Sequence, residues 1–389
     1  MTVSHWMRPH NFKTPDITTD ILIIGGGYVG LSTAFWLSEY NPSLKITLLE
    51  RSQVGSGASG RNAGFLTMGS ATFYKTLAKK WGKERALEIY HFGRESISLV
   101  EQKILRSSPE IKFERSSSLT LFQNQTQFKN WQDVEFDPAE FDFQFNHEDK
   151  LPSGIREKFF GAFENGPEFK INPVQLLASL RRILETRKIQ IIENSSAFQL
   201  TPDGVMTDLN FIKCHQLILA LNGYFPHFHP IFKGLIKPYR AQMLAVELEE
   251  DFDANSLHYD SPERVYWRKS WDKILLIGGK RVLDEVGEVS DFEKVSPIIQ
   301  AGLEEYLQHQ LKIRFKVIHR WSGTMGFTEH ELPILTKASK SPLETFIIGG
   351  FSGHGMGFGF RSAKEVAELV CGQKEKSFFD QFKDFRIEL

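Results

Sequence analysis

The chain has 389 residues, which at roughly 150 residues per domain suggests two or three domains. Its 47 Lys and Arg residues against 48 Asp and Glu residues give a net charge of −1, which argues against a strongly basic nucleic-acid binder or a polybasic membrane-surface protein. Two cysteines, Cys214 and Cys371, are too few for a disulfide framework or a thiolate metal cluster, so no metal site is predicted. The 33 phenylalanines can fill a large core and line an aromatic cavity.

The start of the chain carries no predicted secretory signal, because residues 1–15 are polar and lack an apolar central region. Residues 21–37 are uncharged and near the lower length of a membrane span. They contain clustered glycines that would weaken a helix interior. A strand, a glycine turn and a helix account for this stretch better, so we expect a soluble, cytoplasmic protein without a membrane span.

The first unit is predicted as a strand, a helix and a second strand. Residues 21–24 are continuously apolar, as in parallel strands covered on both faces. Residues 28–40 have helical spacing of small and apolar side chains. The next apolar run, residues 44–49, ends at Glu50. This order predicts a βαβ unit.

The rest of the chain alternates between two kinds of pattern. We predict, in order, a Gly/Ser-rich loop at 51–70, a helical stretch around 71–105, antiparallel sheet within 111–165 with a strand over Phe141–Phe145, a helix capped by Asn172, strands at 189–192 and 217–221, strands and long loops over 226–318, a strand at 345–348 and a final helix to about Cys371. Because α/β and antiparallel patterns alternate, two interleaved domains are favoured over two consecutive ones.

A G-x-G-x-x-G sequence, formed by Gly25, Gly27 and Gly30, joins the first strand to the first helix. In this setting the first glycine allows a tight turn, the second lets the backbone approach a pyrophosphate, and the third lets the helix pack closely on the sheet. Glu50 can accept hydrogen bonds from ribose hydroxyls, and its charge disfavours the 2′-phosphate of NADP. The motif therefore predicts a dinucleotide but does not decide between NAD and FAD.

Two further glycine-rich loops favour the longer dinucleotide. Residues 55–64 place small residues with Arg61 and Asn62 directly after the second strand, where such a loop can reach along an extended ligand. Residues 349–356 join another strand to a helix, whose N-terminus would stabilise the negative charge of a reduced flavin.

Together these motifs resemble the FAD-dependent D-amino-acid oxidase superfamily, in the branch of glycine oxidase, monomeric sarcosine oxidase and γ-glutamylputrescine oxidoreductase. The resemblance rests on DILIIGGGYVGL with Glu50, GASGRNAG, LALNGYFP at 219–226, the W-x-G of Trp321 with the following Thr328 and Pro333, and GFSGHGM, in the family's order over nearly the whole chain. The set GASGRN, W-x-G and GFSGHG, with Ser4-His5-Trp6, looks most like the γ-glutamylputrescine oxidoreductase group.

The resemblance implies an α/β fold with a Rossmann-like FAD-binding domain of the glutathione-reductase type. This domain is interleaved with an α+β substrate domain built on an antiparallel sheet. The implied boundaries are 16–89, 165–225 and 320–380 for the FAD-binding domain, and 90–164 and 226–319 for the substrate domain.

The resemblance also implies FAD in an extended conformation. The implied cofactor-binding residues are Gly25, Gly27, Gly30, Glu50, Arg51, Ser59, Arg61, Asn62, Gly64, Ala197, Asn222, Gly350, Ser352, Gly353, His354, Gly355 and Met356.

Departures from the family pattern bear on the cofactor and the substrate. Met325 stands where glycine and D-amino-acid oxidases carry a carboxylate-binding Arg and where sarcosine oxidase carries its flavin-linking Cys, so we expect non-covalent FAD. Gly357 stands where sarcosine oxidase has a Lys. An amine, an N-methylamine or an amine with a distant carboxylate is thus favoured over a simple α-amino acid. Met325, Phe351 and Arg240 are expected in the substrate pocket, although Arg240 or Arg361 could still supply a carboxylate anchor.

The implied reaction is oxidation of a C–N bond, in which a neutral amine delivers hydride to flavin N5 and the resulting imine hydrolyses. His354 and Lys280 are the candidate catalytic residues, Lys280 as a cation that would help reduce oxygen. Oxygen or another acceptor, and a monomer or an oligomer, all stay open. Seven phenylalanines between 113 and 145 are expected to pack the second sheet, with one or two facing the substrate.

Three functional classes remain. They are a flavin amine oxidoreductase of the γ-glutamylputrescine oxidoreductase type or, alternatively, a glycine, sarcosine or D-amino-acid oxidase; an NAD-linked dehydrogenase, disfavoured by the two later loops; and a non-catalytic flavin-binding scaffold.

Overall fold

Short, continuously apolar strands form a six-stranded, largely parallel sheet in this computed structural model, which describes residues 15–131, 137–382 and 387–389. The strand order is β18-β19-β12-β2-β3-β8, and only β18 runs antiparallel to its neighbour. All residues of β2 (Ile21–Ile24) and β3 (Ile46–Leu49) are buried, as expected for strands covered on both faces. Ser4, Trp6 and Phe136 lie outside the described residues.

The remaining strands belong to two further sheets. The bounds are β1 Ile17–Thr18, β4 Phe65–Leu66, β5 Phe113–Phe122, β6 Gln144–His147, β7 Gly161–Ile171, β8 Gln190–Ile192, β9 Ala197–Thr201, β10 Gly204–Thr207, β11 Phe211–Lys213, β12 Gln216–Leu219, β13 Lys237–Leu248, β14 Leu257–Asp260, β15 Val265–Lys269, β16 Ile274–Gly279, β17 Phe315–Phe327, β18 Ile334–Lys337 and β19 Glu344–Gly349. The helices are α1 Tyr28–Tyr40, α2 Ala58–Arg61, α3 Ala71–Trp81, α4 Lys83–Lys103, α5 Gln125–Trp131, α6 Pro173–Thr186, α7 Phe225–Phe228, α8 Pro297–Glu305 and α9 Gly355–Val370.

The stretch 21–37 is divided between strand β2 and helix α1, which begins at Tyr28 after the glycine turn. Helix α1 packs against α9, and the Trp36 indole donates to the Phe360 carbonyl at 3.0 Å. This contact holds the helices that follow two of the three glycine motifs side by side. Within the described residues, we find no helix with the length and apolar character needed to cross a membrane.

A nine-stranded sheet covers the other side of the molecule, in the order β17-β13-β16-β15-β14-β5-β7-β4 with β6 paired to β7. Its pairs are antiparallel except β14 with β5. The predicted domain boundaries at 164/165 and 319/320 fall inside β7 and β17, so both strands run across them. The division into two domains stays a prediction with these boundaries.

Three local predictions differ from the structure. The stretch 71–105 forms two helices separated at Gly82, whose φ of 86° interrupts helical geometry. Phe141 ends a 3-10 turn, and the strand starts only at Gln144, because Asp142 adopts a left-handed conformation that breaks the alternation. The region 226–318, predicted as strands and loops, also contains helix α8, which covers the sheet with buried Ile299 and Leu303.

Candidate active site

A single cavity of about 990 Å³ opens at the C-terminal ends of β2 and β3 and extends to β13, β15 and β17 of the nine-stranded sheet. This volume lies at the upper end for small-molecule and cofactor sites. The position agrees with the general rule that open parallel sheets bind ligands beyond the carboxyl ends of their strands. One cavity therefore joins the glycine turn to the larger antiparallel sheet.

The first glycine turn forms a cradle that side chains would fill. Gly25 has a φ of 118°, and a Cβ at this position would lie 2.5 Å from the Ala220 carbonyl oxygen. A Cβ at Gly27 would come within 2.9 Å of the Ser59 hydroxyl, which accepts from the Tyr28 backbone N–H at 2.9 Å. The N-terminus of α1 thus faces the cavity through bare backbone, as a phosphate group requires.

Glu50 lines the cavity beside this turn. Its Oε2 accepts from the Gly26 backbone N–H at 2.8 Å, and its Oε1 accepts from the Ser52 N–H at 2.9 Å. The carboxylate is therefore held in one orientation at the end of β3. Carboxylate oxygens have further lone pairs for ligand hydroxyls. Arg51 follows directly, with its guanidinium 4.1 Å from the centre of the Tyr224 ring.

The loop after β3 is fixed by its own side chains. Asn62 Nδ2 donates to the Ser59 carbonyl at 2.7 Å, and Asn62 Oδ1 accepts from the Gly64 N–H at 2.8 Å. Arg61 donates to the Ser56 carbonyl at 2.7 Å and forms an ion pair with Glu293 at 2.6 Å. These bonds hold the short helix α2 against the cavity.

The third glycine motif brings the N-terminus of α9 to the cavity through Gly353, His354, Gly355 and Met356. His354 stacks on Phe73 with ring centres 3.7 Å apart. Its Nδ1 lies 3.1 Å from the Ser352 carbonyl, which can only accept, so Nδ1 carries the hydrogen. Burial lowers the pKa of His354 to about 4, and the ring is therefore neutral at pH 7.

An aromatic wall covers the far part of the cavity. It contains Phe65, Tyr259, Tyr266, Phe327 and Phe351, beside Met325. The prediction that a phenylalanine between 113 and 145 faces the substrate is wrong for the six of them that are described. Their rings pack on β7 and under α4; Phe128 stacks on Phe145, for example, with ring centres 4.1 Å apart.

Charged groups of the lining are mainly positive. The lining contains five arginines (Arg51, Arg61, Arg240, Arg264 and Arg281) and three carboxylates (Glu50, Asp291 and Glu293). Such an excess favours an anionic ligand.

Some predicted site residues lie outside the lining. Gly30, Gly64, Gly350 and Ser352 support it from behind: a Cβ at Gly30 would come within 1.9 Å of the Gly25 carbonyl oxygen, and the Ser352 hydroxyl accepts from the Thr328 N–H at 3.2 Å. Lys280 forms an ion pair with Glu263 and is not part of the lining, so the geometry does not support its predicted catalytic role.

Arg240 lines the cavity as predicted but is already paired. Its guanidinium forms an ion pair with the fully buried Glu288 at 3.0 Å and donates to the carbonyl of Phe292 at 3.2 Å. Gln242 donates to the same carboxylate at 2.9 Å. Arg240 therefore fixes the segment 287–294 rather than offering a free cation. Arg361 pairs with Glu365 and Glu95 and is not part of the lining.

Sequence reasoning missed several lining residues. Ser195 and Ser196 stand directly before the predicted Ala197, so extending that match would have found them. Arg281, Asp291 and Phe292 belong to irregular segments without a motif, and only the folded chain brings them to the cavity. No group of three or more His, Cys, Asp or Glu side chains suited to a metal occurs within residues 15–131, 137–382 and 387–389.

The bare cradle, the fixed Glu50 and the positive lining fit FAD, whose pyrophosphate and ribose need these groups. The fold and the cavity thus define a dinucleotide-binding oxidoreductase. The sequence profile of the FAD dependent oxidoreductase (DAO) family matches residues 20–369, and the chain belongs to this family. The predicted family, fold class and FAD cofactor are confirmed.

Relatives and solved structures agree with this assignment. The chain is 26% identical to the gamma-glutamylputrescine oxidoreductase of Escherichia coli (strain K12), over 96% of this chain and 88% of that protein. Its fold is similar to the glycine oxidase of Geobacillus kaustophilus, with a TM-score of 0.75, 18% identity and coverage of 95% and 99% of the two chains. It is also similar to the L-proline dehydrogenase of P. horikoshii, with a TM-score of 0.75, 16% identity and coverage of 96% and 100%.

Proposed function

We propose that this FAD-dependent oxidoreductase oxidises the C–N bond of a small amine to an imine that hydrolyses. The observation that carries the proposal is the single cavity in which the dinucleotide cradle continues into an aromatic wall. A flat ring system and an apolar amine chain both suit such a wall. A substrate like that of gamma-glutamylputrescine oxidoreductase is favoured, because a protein of this name is similar over almost the whole chain.

The cofactor would be held by the backbone of Gly25 and Gly27, by the Glu50 carboxylate, and by the loop with Ser59 and Asn62. Bound FAD supplies the two-electron acceptor that amino-acid side chains lack. Non-covalent binding is supported by the place of the two cysteines. Cys214 is buried in a hydrophobic cluster and Cys371 follows the last turn of α9; neither belongs to the lining.

The protein's part in the reaction is to orient the amine, exclude water and keep the amine neutral. An aromatic, water-poor wall disfavours a charged ammonium, since burial lowers the pKa of an amine. The excess of arginines acts in the same direction through like-charge repulsion. His354, a neutral ring with a lone pair on Nε2, can accept a hydrogen bond or a proton.

The test uses the purified protein and its visible spectrum. We expect an oxidised-flavin spectrum, release of the flavin by acid or heat, and anaerobic bleaching by at least one of sarcosine, glycine, D-amino acids, putrescine or γ-glutamylated amines. Bleaching by an amine in preference to glycine and D-amino acids supports the proposed substrate class.

Two outcomes would contradict the proposal. Flavin that stays in the protein pellet after acid precipitation would refute non-covalent binding. A yellow protein that no compound of the panel bleaches would favour a flavin-binding scaffold. Mixing the reduced protein with oxygen then decides whether oxygen or another molecule accepts the electrons.

A further inference from the structure

Arg281 differs from the other cavity arginines in its partners. Arg61 pairs with Glu293, and Arg240 pairs with Glu288. Arg264 is exposed and has Glu285 at 3.7 Å, and Arg51 stands directly after Glu50 on the cradle side. No carboxylate among the described residues forms an ion pair with Arg281, and its Nε is buried without a hydrogen-bond partner. Arg281 is thus a half-buried cation whose donors remain available to a ligand.

Aromatic rings hold the Arg281 guanidinium in place. The guanidinium carbon lies 4.5 Å from the centre of the Tyr239 ring and 4.6 Å from that of Phe327, and these two rings meet edge to face at 5.2 Å. Burial lowers the pKa of Arg281, because the charged form loses water. A cation in this setting gains more from an anionic partner than one in water does.

The strand register places this cation beside the substrate part of the cavity. Tyr239 on β13 is the cross-strand partner of Met325 on β17, and Phe327 follows two residues later on the same face of β17. Arg281, on the turn after β16, therefore approaches Met325 from the neighbouring strands. These residues belong to the nine-stranded sheet, whereas the pyrophosphate cradle belongs to the six-stranded one.

We propose that Arg281 binds a carboxylate carried by the amine substrate, so that the substrate class is an amino acid or amine conjugate whose carboxylate docks on this guanidinium. The proposal rests on the proposed function for the amine part. A planar guanidinium matches a carboxylate with two parallel hydrogen bonds. One half-buried cation balances one carboxylate charge, and the rings beside it suit an apolar chain between the two groups.

Binding to the FAD-loaded protein tests this without turnover. The probes are butanoate and hexanoate, with butanamide and hexanamide as uncharged counterparts of the same shape, and binding is followed by the change in the flavin spectrum. We expect the carboxylates to bind at least tenfold more tightly than the amides. Arg281→Met and Arg281→Gln should weaken the carboxylates by about 10- to 100-fold and leave the amides within about threefold.

Lys237→Met is the matched control. Lys237 is an exposed cation 5.0 Å from the same Tyr239 ring, but it does not line the cavity, so its removal changes the net charge equally without touching the site. Its carboxylate affinity should match that of the wild type. Melting temperatures of all variants, measured with FAD bound, show whether a loss of binding reflects unfolding.

Three results would overturn the proposal: no preference of the wild type for carboxylates over amides, unchanged carboxylate affinity in both folded Arg281 variants, or an equal loss in Lys237→Met. Inorganic phosphate that binds more tightly than butanoate and depends on Arg281 would replace the carboxylate by a phosphate. A protein that binds carboxylates through Arg281 but is bleached by no amine contradicts the proposed function alone.

Discussion

Arg61 and Glu293 form an ion pair of 2.6 Å that joins two sides of the cavity. Arg61 ends helix α2 in the loop after β3, and Glu293 lies in the segment 287–294, which we call the strap. The strap is also fixed from below, where Gln242 donates to the Lys294 carbonyl at 2.9 Å. Because Asp291, Phe292 and Glu293 all line the cavity, the strap and the cofactor loop close the same site.

Breaking this pair should loosen the cofactor more than the fold. Both side chains are partly exposed, so the pair contributes at most about 1 kcal/mol to stability. We expect Glu293→Gln to speed FAD dissociation several-fold, measured by loss of flavin fluorescence quenching, with little change in the free energy of unfolding. Glu304→Gln is the control, since Glu304 pairs with Arg320 at 2.9 Å with similar exposure but away from the lining. Equal FAD release from the two variants would argue against a role of the strap.

Glu50→Ala should weaken FAD binding by about 10- to 100-fold, because it removes a charged acceptor held beside the glycine turn. Titration of the flavin-free protein with FAD measures the effect. Glu50→Gln, which keeps one acceptor oxygen, should lose less. Glu185→Ala removes an exposed carboxylate on α6 and should bind FAD as the wild type does. Unchanged affinity in Glu50→Ala would refute the ribose assignment.

Lys280→Met should keep its turnover number within about twofold, because the ammonium is paired with Glu263 and lies outside the lining. Steady-state kinetics with any substrate found by the bleaching panel measure this. A loss of tenfold or more, in a variant of unchanged melting temperature, would restore the catalytic role that the sequence predicted.

The pH dependence of stability should carry a contribution from His354. Its pKa is lowered to about 4 by burial, whereas an unfolded His has a pKa of about 6.5. Between these values the unfolded state binds the proton first, so stability falls as the pH drops from 6.5 towards 4. From pH 7 to pH 5 the loss is about 2 kcal/mol. Urea unfolding of the wild type and His354→Phe at both pH values isolates this part; equal pH dependence would contradict a lowered pKa.

Local patterns predicted the elements that bind the dinucleotide. The apolar run at 21–24, the glycines and the end of β3 at Glu50 each depend on neighbours within a few residues, so spacing alone predicts them. The alternation at Phe141–Phe145 misled because a left-handed residue, Asp142, interrupts it. Helix α8 was missed within a region dominated by strands, where long-range packing of Ile299 and Leu303 decides the conformation.

The sequence by itself determined the βαβ unit, the family and the cofactor, because these depend on residues close together in the chain or in a fixed order along it. Only the tertiary structure decided which arginine is available to a substrate. Arg240, an expected pocket residue, is consumed by the buried Glu288, while Arg281 reaches the ring of Tyr239 across separate strands. Pairing of charges depends on which distant segments meet in space, and no local spacing records it.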